Sequence, residues 1–129
     1  MSKPRLVMFH PNMGLLGGAQ RDIIVALPEH AKRWSITVAT LNAPQLLIER
    51  CEQLGIDVLA PDVPWQQPTG PFAEITAKAG RSALKGWRRM RTRLQPALDA
   101  ADACCIVLGT GGLEVLEIIP ENMPLYVYI

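Results

Sequence analysis

The sequence predicts a doubly wound α/β domain, in which a mainly parallel, five-stranded sheet carries helices on both faces, as in a Rossmann-like domain. Apolar runs of strand length alternate along the chain with stretches of helical periodicity. The predicted strands are continuously apolar, which is typical of strands buried on both faces of a parallel sheet. A length of 129 residues fits one domain, spanning 1–129.

The first half of the chain contains two predicted βα units and a third strand. Residues 5–10 form the first strand, and a helix over 18–31 follows, with Pro28 ending or kinking it near Leu27. The β-branched run 34–40 predicts the second strand. Its helix is expected to start at an Asn42 cap and to end at Gly55, and 56–59 is a short third strand.

The second half begins with a long predicted loop, 60–76, which is rich in proline. A basic helix over 77–100 leads into a buried strand at 103–108. A short helix, 113–119, precedes the last strand, 125–129. Since the sequence stops inside this β-branched and aromatic run, we expect a fragment of a longer protein.

Composition restricts the functional classes. The hydrophobic content of 49% and charged content of 19% are those of a globular chain, and a net charge of +1 does not favour nucleic-acid binding. The three cysteines lack metal-ligand spacing and predict small buried side chains in a reducing compartment. The sequence shows no signal peptide and no apolar run of membrane-spanning length, so we expect a cytoplasmic protein.

A glycine loop at Gly14, Gly17 and Gly18 separates the first strand from the first helix. Such a corner binds anions, because glycines admit a phosphate and the helix start presents free N–H groups. The spacing is neither the dinucleotide fingerprint nor a P-loop, and no acidic residue closes the second strand, which disfavours NAD. The alternative is that these glycines only allow a tight βα turn.

The segment His10-Pro-Asn-Met-Gly14 followed by Gly17-Gly18-Ala19-Gln20-Arg21 and an apolar helix resembles the opening of family 4 glycosyltransferases. These enzymes have the GT-B fold, with two Rossmann-like domains that face each other across a cleft. The run 125–129 resembles the fifth strand of their N-terminal domain. The resemblance implies an acceptor-binding, N-terminal domain of an enzyme that transfers a sugar from a nucleotide-sugar to an acceptor hydroxyl, with retention.

The resemblance also implies site residues. Gly17 and Gly18 would lie against the donor diphosphate or the acceptor, and Gln20 would position acceptor hydroxyls. His10 is a further candidate because it lies where the first strand meets the loop, although it could simply close the strand. Arg21, in the first turn of the helix, either faces the cleft or pairs with neighbouring acidic side chains, Asp22 or Glu29.

The family is generally metal-independent, and no Asp-x-Asp motif is present, so no metal and no cofactor besides the nucleotide-sugar donor is expected. Most donor contacts of the family, including a pair of glutamates, belong to a C-terminal domain that this chain lacks. The implied partners are therefore the donor, the glycosyl acceptor and that missing domain, without which the chain should be inactive. A stand-alone module that binds a phosphorylated ligand or a partner, and half of a GT-B sugar-nucleotide epimerase, are the alternatives.

Seven of the thirteen basic residues lie between 78 and 93, with no acidic residue from 76 to 97. One interpretation is a surface helix with an apolar stripe and solvated charges. The other is a patch for anionic lipid headgroups, which would place the enzyme peripherally at the inner membrane face. The residues of this predicted membrane patch are Lys85, Arg88, Arg89, Arg91 and Arg93.

Nucleic acid is disfavoured because Trp87 is the one aromatic residue interleaved with these charges.

A second glycine loop, Gly109, Gly111 and Gly112, follows the fourth predicted strand. It is either a second wall of the same cleft or a plain βα turn.

Overall fold

The computed structural model describes residues 2–11, 18–62, 70–107 and 113–128. The strands are β1 (Arg5–His10), β2 (Ser35–Thr40), β3 (Asp57–Leu59), β4 (Ala103–Val107) and β5 (Leu125–Tyr128). The helices are α1 (Gly18–Arg33), α2 (Gln45–Leu54) and α3 (Phe72–Asp99), with a short 3₁₀ helix at Leu113–Glu117. The five strands form one sheet in the order β3-β2-β1-β4-β5. Every pairing is parallel, so the predicted doubly wound α/β fold is confirmed.

The central strand β1 has neighbours on both sides. It pairs with β2 from Arg5↔Ser35 to His10↔Thr40, and with β4 from Leu6 to Phe9. The chain winds outward from β1 to β2 and β3, then returns to place β4 on the other side of β1. The winding direction therefore reverses between β1 and β4, which is where ligands bind in doubly wound sheets.

Helices cover both faces of the sheet. On one face, Leu27 of α1 and Leu47 of α2 pack with alternate strand residues such as Met8. On the other face, Trp87 of α3 packs with the intervening residues, including Phe9. Side chains along each strand alternate between these two cores, as the period of two in a strand requires. The predicted burial of the three cysteines is confirmed, and all three are free.

Two predicted helix ends differ from the structure. The alternative in which Pro28 ends the first helix near Leu27 is wrong, because α1 continues through Pro28 to Arg33. A proline inside a helix removes one backbone hydrogen bond, and burial of the apolar side of α1, including Ile23 and Leu27, offsets that loss. Nor does Asn42 cap α2: Pro44 occupies the N-cap position without a side-chain hydrogen bond.

The predicted C-cap of α2 is confirmed, since Gly55 adopts the left-handed conformation with φ of 70°. α3 begins at Phe72, five residues before the predicted start, which shortens the predicted loop 60–76. Residues 63–69 of that loop lie outside the described ranges. The predicted helix 113–119 is a 3₁₀ helix of five residues.

The 28-residue helix α3 is much longer than the strands beside it. Trp87 meets Phe9 edge-on, with ring centroids 5.6 Å apart, and Gly86 lies against Leu41, just past the end of β2. Both contacts lie near the carboxyl edge of the sheet, and α3 runs from this edge back to the start of β4.

Candidate functional site

The carboxyl ends of β1 and β4 define the candidate site. The chain leaves β1 for α1 on one face of the sheet and leaves β4 for the 3₁₀ helix on the other. In doubly wound sheets, a ligand-binding crevice forms where neighbouring connections diverge in this way. α1 begins at Gly18, at the same edge, and the first turn of a helix presents unpaired N–H groups and the positive end of its dipole. The arrangement suits an anionic group.

His10 closes β1 and is buried, with 4% of its surface exposed. Burial lowers the pKa of His10 to about 4 from its ordinary value of 6.5. The imidazole is therefore neutral near pH 7 and carries one hydrogen-bond donor and one acceptor. Near pH 7 its polar interactions are therefore hydrogen bonds and not ion pairs.

Thr40 is the register partner of His10 on β2 and is fully buried. By the alternation of side chains along the strands, both lie on the face that α1 covers. The Thr40 hydroxyl donates to the Asn42 carbonyl oxygen at 3.2 Å and accepts the Asn42 N–H at 3.3 Å. Sequence reasoning did not identify Thr40, although a polar residue at the end of an apolar strand is a usable signal. Its bonds close the turn after β2.

The structure brings three predicted residues of α1 to this edge. Gly18 is the first residue of the helix, and Gln20 and the exposed Arg21 follow within four positions. Glu29, one predicted partner of Arg21, instead accepts a hydrogen bond from Lys32 at 2.9 Å. That bond and the charge of Lys32 lower the pKa of the Glu29 carboxyl.

Several predicted positions lie outside the described residues. These are Gly17 of the first glycine loop and all three glycines of the second, Gly109, Gly111 and Gly112. The elements that flank the second loop, β4 and the 3₁₀ helix, are both described. β4 ends at the same edge of the sheet as β1, and the predicted role of the second glycine loop as a cleft wall stays a prediction.

Trp87 was expected only as part of an apolar stripe, and it is fully buried as predicted. Its indole Nε1–H, however, finds no hydrogen-bond partner in the structure as described. Buried donors are nearly always paired, and an orphan costs about 1–3 kcal/mol. An unused donor thus lies next to Phe9, on the α3 face of β1.

The apolar stripe of α3 is confirmed, because Ala83, Trp87, Met90 and Leu94 are buried. All five residues of the predicted membrane patch are exposed. Two of them have partners within the chain: Arg88 Nη2 lies 2.5 Å from Glu117 Oε1, and Arg93 Nη1 donates to the Ala60 carbonyl oxygen at 2.6 Å. Attraction of this patch to an anionic membrane stays a prediction.

A cavity of about 540 Å³ runs along the outer side of α3. Its lining includes four cations at intervals of three and four residues, together with Ser82 and Leu84. The four are Lys78, Arg81, Lys85 and Arg88. Sequence reasoning treated the basic residues as one run and missed this shared face, although the spacing alone would have identified it.

Among the described residues, no group of three or more His, Cys, Asp and Glu side chains is placed to hold a metal ion. Within the same ranges, no helix is both long and apolar enough to cross a bilayer.

No family model and no curated protein matches the sequence. Among solved structures, the chain is similar to the C-terminal domain of a hydrogenase from Pyrococcus furiosus. That similarity has a TM-score of 0.59 at 18% sequence identity and covers 100% of this chain and 94% of the other. At this identity the likeness shows the α/β fold alone.

Proposed function

We propose that the chain is the acceptor-side, Rossmann-like domain of a GT-B glycosyltransferase, which moves a sugar from a nucleotide-sugar to an acceptor hydroxyl with retention. One observation carries the proposal. The residues that resemble family 4 enzymes, His10 to Arg21, begin at the end of the central strand and continue into the first turn of α1, at the switch point of the sheet. The fold by itself hosts many functions and would not suffice.

The chemistry of transfer suits this corner. Negative charge develops on the leaving diphosphate, and N–H groups fixed at the start of α1 would stabilise it without reorganisation. His10, neutral above a pKa of about 4, would hydrogen-bond an acceptor oxygen. Gln20 and Arg21 would offer an amide and a cation from the same helix end. The remaining donor contacts would come from a C-terminal domain.

The first test is to read the source gene past the codon for Ile129. A continuing frame that encodes a second α/β domain with the glutamate pair supports the proposal. The gene product is then assayed for transfer of labelled sugar from a panel of nucleotide-sugars to extracted acceptors. Gly18→Val should lower turnover by about 100-fold or more, because a β-branched side chain crowds the anion-binding start of α1.

Ala26→Val is the matched control, since it also adds a valine to α1 but lies two turns beyond the helix start. Near-normal transfer is expected for it. Unchanged turnover in Gly18→Val would remove the first glycine loop from the mechanism. Isomerisation of the nucleotide-sugar in place of transfer would assign the epimerase alternative. Binding of inorganic pyrophosphate that Gly18→Val abolishes, with neither activity, would assign a stand-alone phosphate-binding module.

A further inference from the structure

Four cations line one side of α3 and form a feature separate from the crevice beside β1. This basic stripe, Lys78, Arg81, Lys85 and Arg88, follows intervals of three, four and three residues. Such spacing puts all four side chains on one face of a helix, over about 15 Å of its length. All four are exposed. The stripe faces away from the sheet, opposite the buried Ala83 and Trp87.

The stripe is electrostatically unfavourable on its own. Each consecutive pair brings like charges together at a spacing of three or four residues, which destabilises a helix. At the C-terminal end of the stripe, Glu117 forms an ion pair with Arg88 and compensates its charge. Among described side chains, no carboxylate lies within salt-bridge distance of Lys78, Arg81 or Lys85. An anion bound along the stripe would remove this repulsion.

The shape of the stripe favours a compact anion over a flat membrane. The cations line one side of a cavity of about 540 Å³, and Ser82 and Leu84, both half-buried, belong to the same lining. A helix that lies on a bilayer inserts an apolar face, but the apolar face of α3 is already packed on the sheet. None of the large exposed hydrophobic side chains in the described ranges belongs to α3. Within the described part of α3, the stripe therefore combines positive charge with a recess and has no large exposed apolar side chain beside it.

We propose that the basic stripe binds a soluble ligand that carries several linked phosphate groups. Guanidinium groups form paired hydrogen bonds with phosphate oxygens, and lysine ammonium groups add mobile positive charge. Among the described residues, Arg88 has an ion-pair partner and Arg81 has none. Lys78 and Lys85 lie one turn to either side of Arg81, and the Ser82 hydroxyl supplies a neutral donor. A stripe of about 15 Å is longer than one phosphate needs, which selects an oligophosphate over a single anion.

The test is a calorimetric titration of the 129-residue chain with inorganic tripolyphosphate, paired with amide chemical shifts from an ¹⁵N-labelled sample. We expect binding that weakens with added salt, and shift changes concentrated at residues 78–88. Arg81→Gln/Lys85→Gln should weaken binding by about tenfold or more. The control, Arg33→Gln/Arg50→Gln, removes two exposed charges from α1 and α2 and should change affinity by less than about twofold.

Three results would overturn the proposal. The first is that the wild type does not bind tripolyphosphate. The second is that the two double variants lose affinity for tripolyphosphate to the same extent. The third is that vesicles of phosphatidylglycerol and phosphatidylcholine capture the protein although it does not bind tripolyphosphate. The last would establish the membrane patch instead. Circular dichroism verifies folding, and if the double variant is unfolded, Lys85→Gln alone should weaken binding by about threefold. The titration involves no sugar, so its outcome is independent of the glycosyltransferase proposal.

Discussion

Gly86 of α3 lies against Leu41, just past the end of β2, and replacing it tests that contact. A Cβ atom on Gly86 would lie 2.7 Å from Leu41 Cδ2 and 3.3 Å from Leu41 Cδ1. Real Cβ atoms do not approach so closely, so the Leu41 side chain must shift. Leu41 is fully buried, and its movement disturbs the core shared with Trp87.

Two opposing terms set the size of the effect. Alanine is favoured over glycine by about 1 kcal/mol inside a helix. An extra methyl group forced into a packed core costs about 1–3 kcal/mol. Since the Leu41 side chain is fully buried, it cannot relieve the clash by moving into solvent. We therefore expect Gly86→Ala to lower the free energy of unfolding by about 1 kcal/mol.

Leu41→Val provides the background in which the contact is absent, because valine lacks both δ carbons. Leu41→Val alone should cost about 1 kcal/mol. In that background Gly86→Ala should stabilise the protein by up to about 1 kcal/mol, which gives a coupling free energy of about 2 kcal/mol. Urea unfolding of the four proteins, followed by circular dichroism, measures it. An equal effect of Gly86→Ala in both backgrounds would refute the close approach.

Three further predictions follow from burial and exposure. The pKa of His10 is lowered in the folded state, so the unfolded state binds more protons below pH 6.5. The free energy of unfolding should therefore fall by about 3 kcal/mol as the pH is lowered from 6.5 to 4. Urea unfolding across this range should show a flatter profile for His10→Asn; an unchanged profile would mean that another group titrates. Burial raises the pKa of the three cysteine thiols to about 11, so a thiol reagent at pH 8 should label them only after unfolding. The Arg88–Glu117 pair is about half exposed, so Glu117→Gln should change the unfolding free energy by less than about 1 kcal/mol, and a larger loss would contradict this.

Local patterns in the sequence predicted the strands and helices well, because strands that are buried on both faces of a sheet are continuously apolar. The apolar stripe of α3 and the glycine C-cap of α2 were also predictable from periodicity and backbone preference. The start of α3 was not, since Pro71 fits the N-cap position of the helix as readily as it fits a loop. That α1 continues past Pro28 could not be predicted, because it depends on the burial of α1 against the sheet and not on the local sequence.

Some features of the candidate site could likewise be predicted from the sequence, and others could not. The location of His10 at the strand end followed from the sequence, but its lowered pKa depends on what covers it in three dimensions. The pairing of His10 with Thr40 depends on strand register, which a single sequence does not specify. The basic stripe was available from spacing, yet its cavity is a property of the folded chain.

The strand order has a consequence for how the chain folds. β1 lies at the centre of the sheet, but β4, its neighbour on one side, lies far along the chain, as in the pair Leu6↔Ala103. A ribosome must therefore add about a hundred residues before the second edge of β1 can be covered, and contacts this distant in sequence slow folding. Until then the backbone N–H and C=O groups along that edge of β1 have no strand partner and can pair with other chains. Aggregation during synthesis should thus be most sensitive to changes that delay or weaken β4, even though β1 is made first.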